Sequence, residues 1–149
     1  MAQYNTEAAR NERQLAKMRD LTERGVCMFC PEHIHKEAPG TVEAETSHWI
    51  VKHNDFPYDD TRLHVLIIPK KHVSYINDLS KSAKQEFLEV VQATALRHKL
   101  KSYAIAMRVG DMRYNGGSIE HMHAHLIVGD VDNPNHQPVR FKVSSRPKD

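Results

Sequence analysis

The stretch HMHAHLIVGD, residues 121–130, sets His121, His123 and His125 at alternate positions and follows them with Leu126, Ile127 and Val128. Strand side chains alternate between faces, so the three imidazoles would project from one face over roughly 13 Å. Met122, Ala124 and Leu126 would then face a core. On a helix His121 and His125 would align but His123 would point away, and HLIVG is a poor helix former. The spacing therefore predicts a strand with three histidines on one face. Taken alone, the pattern also suits a chance row of surface histidines or a satisfied core.

The flanking sequence adds weight. Immediately upstream, NGGSI places Gly116 and Gly117 where a backbone would approach a ligand closely, and Ser118 supplies a hydroxyl beside the first histidine. Such loops suit phosphate oxygens. Further out, HWIVKHN (48–54) and LHVLIIPKKH (63–72) read as strands that would pair antiparallel across the turn-rich NDFPYDDTR. SYAIAMRVG (102–110) reads as another strand, leading through the turn DMRYNGGS to the histidines. VRFKVSS (139–145) reads as a last one after NPNHQP. Between them, residues 78 to about 100 repeat Phe87, Leu88, Val91, Ala95 and Leu96 at helical spacing, with Asp78, Ser80 or Ser82 available as a cap.

Residues 4 to about 24 form a second helical stretch whose thin stripe of Leu15, Met18 and Leu21 predicts a mostly solvated helix ended by Gly25. In VCMFCPEHIHKEAPG the prolines Pro31 and Pro39 and Gly40 predict a loop without regular structure. The division expected is a helical extension over 1–25 and a domain over 26–149.

At 149 residues the chain is long enough for one well-buried core. Its 21 basic against 19 acidic residues leave a net charge of +2, too weak a field to point to nucleic acid or an anionic membrane. The amino terminus lacks a signal-peptide core and the aliphatic run Val65–Ile68 is too short to cross a bilayer, so a cytoplasmic setting is expected. There, Cys27 and Cys30 read as metal ligands or a redox pair. Arg108, Arg113, Lys70 and Lys71 read as solvated surface.

GGSIEHMHAHLIV resembles the motif of the histidine triad (HIT) family, LHVLIIPKKH resembles its upstream strand, and NDFPY its nucleotide-contacting turn. The resemblance covers about residues 27–130. It implies an α+β fold, a five-stranded antiparallel sheet with two main helices, here with an N-terminal helix added. It also implies a homodimer that binds a nucleotide substrate and acts on its α-phosphate. His123 would be the nucleophile, becoming a nucleotidyl-histidine, and His125 and His64 would donate to the nonbridging oxygens. Ser118 would contact phosphate or leaving group beside Gly116 and Gly117, and Asn54 would match the ribose-binding position. A neutral nucleophilic imidazole predicts activity lost below about pH 5.5.

Two thiolates at Cys27-x-x-Cys30 cannot close a tetrahedral sphere. The chain resembles the zinc-bearing branch of the family, which implies His72 and His121 as the remaining ligands of one structural zinc. His33 and His35 lie nearer in sequence and are the rivals. The motifs leave the substrate open between a dinucleoside polyphosphate and a nucleoside phosphoramidate. Transfer to a sugar phosphate fits less well, because that branch carries Gln where His125 stands. A nucleotide-binding module with little turnover, or a zinc-stapled interaction domain, is the reading from another class. Gly117 replaces a Gln of many members and Leu63 a Gly, which puts the leaving-group contacts in doubt. The N-terminal helix and the C-terminal tail match no family element; either could cap a dimer partner's pocket.

Overall fold

A computed structural model describes residues 3–145; positions 1–2 of the expected extension and 146–149 of the polar tail lie outside the described residues. Strands β1 (Val42–Glu45), β2 (Trp49–His53), β3 (Thr61–Pro69), β4 (Ala104–Met107) and β5 (Ala124–Gly129) form one antiparallel sheet in the spatial order β1-β2-β3-β5-β4. Two long helices, α1 (Glu12–Arg24) and α3 (Lys81–Arg97), and two single-turn helices, α2 (Ile34–Glu37) and α4 (Met112–Asn115), complete this α+β fold.

The sheet is covered on both faces, and that is why Val65–Ile68 of the central β3 is apolar without interruption and fully buried. On one face Trp49, Val51, Val65, Ile67, Met122, Ala124 and Leu126 pack with Ala83, Val90 and Val91 of α3. The Trp49 indole donates to the Ala83 carbonyl at 3.0 Å. On the other, Ile50, Leu66 and Ile68 pack with Met18 and Leu21 of α1 and with Met28, Phe29 and Ile34. The histidines belong to this second face: Leu66 pairs with His125 in register, so His64 and His125 stand side by side.

Several sequence expectations change here. The fifth strand is β1, and residues 139–145 take no regular structure. Their backbone groups bond elsewhere: the Lys142 carbonyl accepts from the Arg108 guanidinium and the Ser145 amide donates to the Arg113 carbonyl at 2.9 Å. β5 begins only at Ala124, because the Met122 amide donates to the loop carbonyl of Val73 at 2.8 Å; the alternation of faces nevertheless continues back to His121. HIHKE holds a helical turn, since Pro31 and Pro39 bracket α2 without entering it. In α3, capped by Ser80, the inward residues are Ala83, Val90, Val91, Thr94 and Ala95, whereas Leu88 and Leu96 are 73% and 70% exposed. α1 is mostly solvated, as expected, and docks by its stripe: Asn11 caps it, Met18 and Leu21 are buried, and Gly25 ends it at φ +66°.

Candidate functional site

A cavity of about 400 Å³ opens on the histidine face, and His123, His125, Ser118, Gly116 and Asn54 line it. His123 is buried, with its ring edge-on to Phe29 at 5.0 Å between centroids. Its Nδ1 lies 2.8 Å from the His121 carbonyl, an acceptor only, so Nδ1 carries the proton and Nε2 keeps a free lone pair. Burial pushes its pKa down to about 4, which keeps the ring neutral at ordinary pH.

His64 and His125 form a directed chain. The Tyr58 amide donates to His64 Nδ1 at 3.0 Å, so a neutral His64 carries its proton on Nε2, 2.8 Å from His125 Nδ1. His125 Nδ1 therefore accepts, and its Nε2–H donates. Burial pushes His64 down to about 3 and His125 well below the usual imidazole range, with the proximity of His123 and the charges of Arg10 and Arg108 acting on both in the same direction. His64 is not among the cavity-lining residues: it sits behind His125 with both ring nitrogens engaged. Its nearest partner toward the cavity is His125.

The loop before β5 brings Gly116 and Ser118 to the cavity. Gly116 has φ +75°, and a Cβ there would stand 2.7 Å from the Lys142 carbonyl. The bare backbone makes room for the C-terminal segment as well as bordering the cavity. Gly117 donates its amide to Asn115 Oδ1 at 2.8 Å and is not among the lining residues. Asn54 lines the cavity, its Oδ1 accepting from the Phe56 amide at 2.9 Å and its Nδ2 lying 3.3 Å from His64 Nε2.

Arg108, expected as solvated surface, is half-buried and turned to the cavity. Its guanidinium lies 3.8 Å over the Phe141 ring, donates to Tyr58 Oη at 2.9 Å and to the Asn115 and Lys142 carbonyls, and brings Nη1 to 3.5 Å from His125 Nε2. Arg10, Gln14, Tyr58, Arg140, Phe141 and Lys142 complete the same cavity wall. Tyr58 ends the NDFPY turn singled out in the sequence; the others were missed because they come from two segments far apart in the chain. Residues 8–14 and 140–142 thus line the pocket of their own chain.

Behind the cavity Cys27, Cys30, His72 and His121 bring their donor atoms within 4.8 Å of one another. Cys27 Sγ stands 3.5 Å from His121 Nδ1, and Cys30 Sγ 3.3 Å from His72 Nδ1 and 3.7 Å from His121 Nδ1. A tetrahedral zinc with Zn–S of about 2.3 Å and Zn–N of about 2.1 Å separates adjacent sulfur and nitrogen donors by about 3.5 Å. The four residues fit such an ion. The outer contacts fit too: His121 Nε2 lies 2.7 Å from the Pro69 carbonyl, which leaves Nδ1 unprotonated toward the thiols. His72 Nε2 faces Glu120 at 3.5 Å, and Glu120 accepts from Ser74 at 2.9 Å. Burial pushes the Cys27 thiol up and that of Cys30 to about 12, so the charge that would ionise them is the metal's own. His33 and His35 stand outside this group. A second group, Glu43, His53 and His98, also has clustered donor atoms, but Arg97 donates to the same carboxylate at 3.0 Å, and it reads as an ion-pair network tying α3 to the sheet.

Residues 35–132 match the HIT domain family. Among solved structures the chain is similar to a HIT family hydrolase from Clostridium thermocellum, at 29% identity over 72% of this chain and 92% of that one, with a TM-score of 0.54. It is similar in fold to a histidine triad nucleotide-binding protein from Candida albicans (24% identity, 82% and 87% coverage, TM-score 0.61). A Zn-bound histidine triad family protein from Mycobacterium smegmatis shares the fold at 22% identity, with 78% and 83% coverage and a TM-score of 0.55.

Proposed function

The chain belongs to the HIT domain family, and from that premise we propose that it is a nucleotide hydrolase or transferase that works at the α-phosphate through a covalent nucleotidyl-histidine. The observation that carries this reading is the fixed tautomer of His123, whose Nδ1 is spent on the His121 carbonyl so that Nε2 is the free nucleophile of the cavity. The similar hydrolase from Clostridium thermocellum supports turnover over binding alone.

In the first step the Nε2 lone pair attacks the α-phosphorus. The N–P bond forms as the P–O bond to the leaving group breaks, and the electron pair departs on that oxygen. In the second, an acceptor oxygen attacks phosphorus, its proton passes to solvent, and the N–P pair returns to Nε2. Water, phosphate or a sugar phosphate can serve as acceptor. His125 Nε2–H is placed to donate to a nonbridging oxygen, a contact typically worth about 2.7 to 4 kcal/mol in the transition state. His64 orients His125. Ser118 contacts phosphate or leaving group, with Gly116 and Gly117 shaping that loop, and Asn54 takes the ribose. Met28, Phe29, Phe56 and Leu66 supply apolar wall for a nucleobase.

The metal group is assigned to one structural zinc held by Cys27, Cys30, His72 and His121, as in the zinc-bearing branch. Held by these four residues, a closed Cys2His2 ion would offer no reactive position and would tie the amino-terminal loop to the approach of β5. A homodimer is supported by β4, an unpaired sheet edge with Ile105 exposed. No helix among the described residues is long and apolar enough to cross a membrane.

The test is chromatographic product analysis of wild type and His123→Ala with diadenosine polyphosphates, with and without added phosphate, and with adenosine phosphoramidate and a nucleotide sugar. Nucleotide release that drops by about 10³-fold or more in the variant is expected. Release at the wild-type rate without His123 would defeat the mechanism. Tight nucleotide binding with no release by either protein would leave the binding-module reading instead.

A further inference from the structure

Four cations line the cavity outside the histidine row: Arg108 from the segment after β4, Arg10 ahead of α1, and Arg140 and Lys142 from the irregular C-terminal segment. Three of them, Arg10, Arg140 and Lys142, lie outside the residues that match the family. Like charges gathered at one cavity repel, and the repulsion is felt: proximity to Arg108 and Arg10 helps push the Lys142 amine down, after burial. Among the described residues none of the four forms an ion pair within 4.0 Å. The carboxylate of Asp55 borders the same cavity but is held by Lys52 at 2.6 Å.

Arg108 and Arg10 are positioned by uncharged groups, while Asp59 and Asp60 share an adjoining hollow with Arg10 and Arg140, and Asp59 offsets part of the Arg10 charge. Arg108 is fixed by the Asn115 and Lys142 carbonyls and by Phe141; Arg10 donates to the Phe56 and Pro57 carbonyls and lies 4.6 Å from the centre of the Tyr58 ring. Carbonyls orient a guanidinium but leave its charge uncompensated. Arg108 Nη1 and His125 Nε2, both donors in the tautomers derived above, face each other at 3.5 Å. Arg108 Nη1 donates to Tyr58 Oη with one of its hydrogens, and an anionic oxygen seated between it and His125 Nε2 would accept from both.

We propose that Arg10, Arg108, Arg140 and Lys142 form an anionic leaving-group subsite, so that this chain prefers nucleotides whose leaving group carries at least one further phosphate over those with a neutral amine. The proposal rests on the α-phosphate reading above and deepens it. When the P–O bond breaks, the electron pair arrives on a phosphate oxygen, and cations fixed beside the cavity stabilise that charge without reorganising. An amine leaving group offers them nothing to hold. The two terminal segments would thus supply the selectivity that the missing amide at Gly117 does not.

The experiment compares kcat/KM for diadenosine triphosphate and adenosine phosphoramidate in wild type, Arg10→Gln with Lys142→Gln, and Arg10→Lys. Binding of inorganic tripolyphosphate is measured by calorimetry on the same proteins. The ratio of the two kcat/KM values should favour the polyphosphate in wild type and fall about tenfold or more in the double variant. Tripolyphosphate affinity should fall in parallel, and Arg10→Lys should keep most of both, separating charge from the guanidinium's contacts with carbonyls. An unchanged ratio, or equal loss on both substrates with tripolyphosphate binding intact, would overturn the subsite. If wild type turned over neither substrate, the α-phosphate reading would fail, and tripolyphosphate binding that depends on Arg10 and Lys142 would still decide the anion site.

Discussion

His64 and His125 show what burial does to an imidazole row. The sequence alone, with ordinary histidines, placed the loss of activity below about pH 5.5. In the folded chain His64 is pushed down to about 3, His123 to about 4, and His125 well below its usual range. A lowered pKa keeps the ring neutral as pH falls, so kcat/KM should stay level from pH 7 to 5 and drop only toward pH 4. A pH–rate profile checks this; a midpoint near 6.5 would contradict it. Stability runs the other way: unfolded histidines bind protons below about 6.5 while these do not, so stability is full above that pH and declines on acidification. The slope is on the order of 1 kcal/mol per pH unit for each such group, read from denaturant midpoints at pH 7 and 5. His64→Asn, which keeps a polar group behind His125 but loses the directed chain, should lower kcat by about 10 to 100-fold with little change in KM.

At the scale of elements, β3 and β5 were legible because an uninterrupted apolar run and an alternating histidine row admit few alternatives. β1 was not: VEAE carries little apolar signal and is held by pairing with β2 across a register shift. VRFKVSS has strand-like composition yet lies as a strap, because Arg108 and Gly116 offer its backbone a closer fit than a sheet edge. Gly116→Ala tests the strap. A methyl 2.7 Å from the Lys142 carbonyl, on a backbone at φ +75°, should cost about 2 kcal/mol and raise the protease sensitivity of residues 139–145. A variant with unchanged melting temperature and digestion pattern would show that the strap does not depend on this contact.

For the whole molecule the expected zinc joins pieces remote in sequence: the loop at Cys27 and Cys30, His72 after β3, and His121 before β5. Stripping it with a strong chelator should lower the melting temperature by at least about 10 °C, and Cys27→Ser should bind well below one equivalent. Full zinc content with unchanged melting in that variant would refute the ligand set. The open β4 edge predicts that Ile105→Arg, which puts a charge on exposed apolar surface, shifts the protein from dimer to monomer in sedimentation velocity. A wild type that sediments as a monomer would remove the dimer.

What the sequence determined by itself was periodic or local. The two-residue repeat of the histidines, the apolar run at 65–68 and the Cys-x-x-Cys spacing are properties of short windows, so the strands, the row of three histidines on one face and the thiol pair could be named in advance, and the family resemblance they carry implied the α+β class. What only the tertiary structure decided was convergence. The place of His64 behind His125, the choice of His72 and His121 over His33 and His35 in the thiol cluster, and the meeting of Arg10, Arg108 and Lys142 at one cavity each depend on residues tens of positions apart. No window holds them together. Burial and unpaired charge are properties of the folded surroundings, and they exist only once the sheet has closed beneath the two terminal segments.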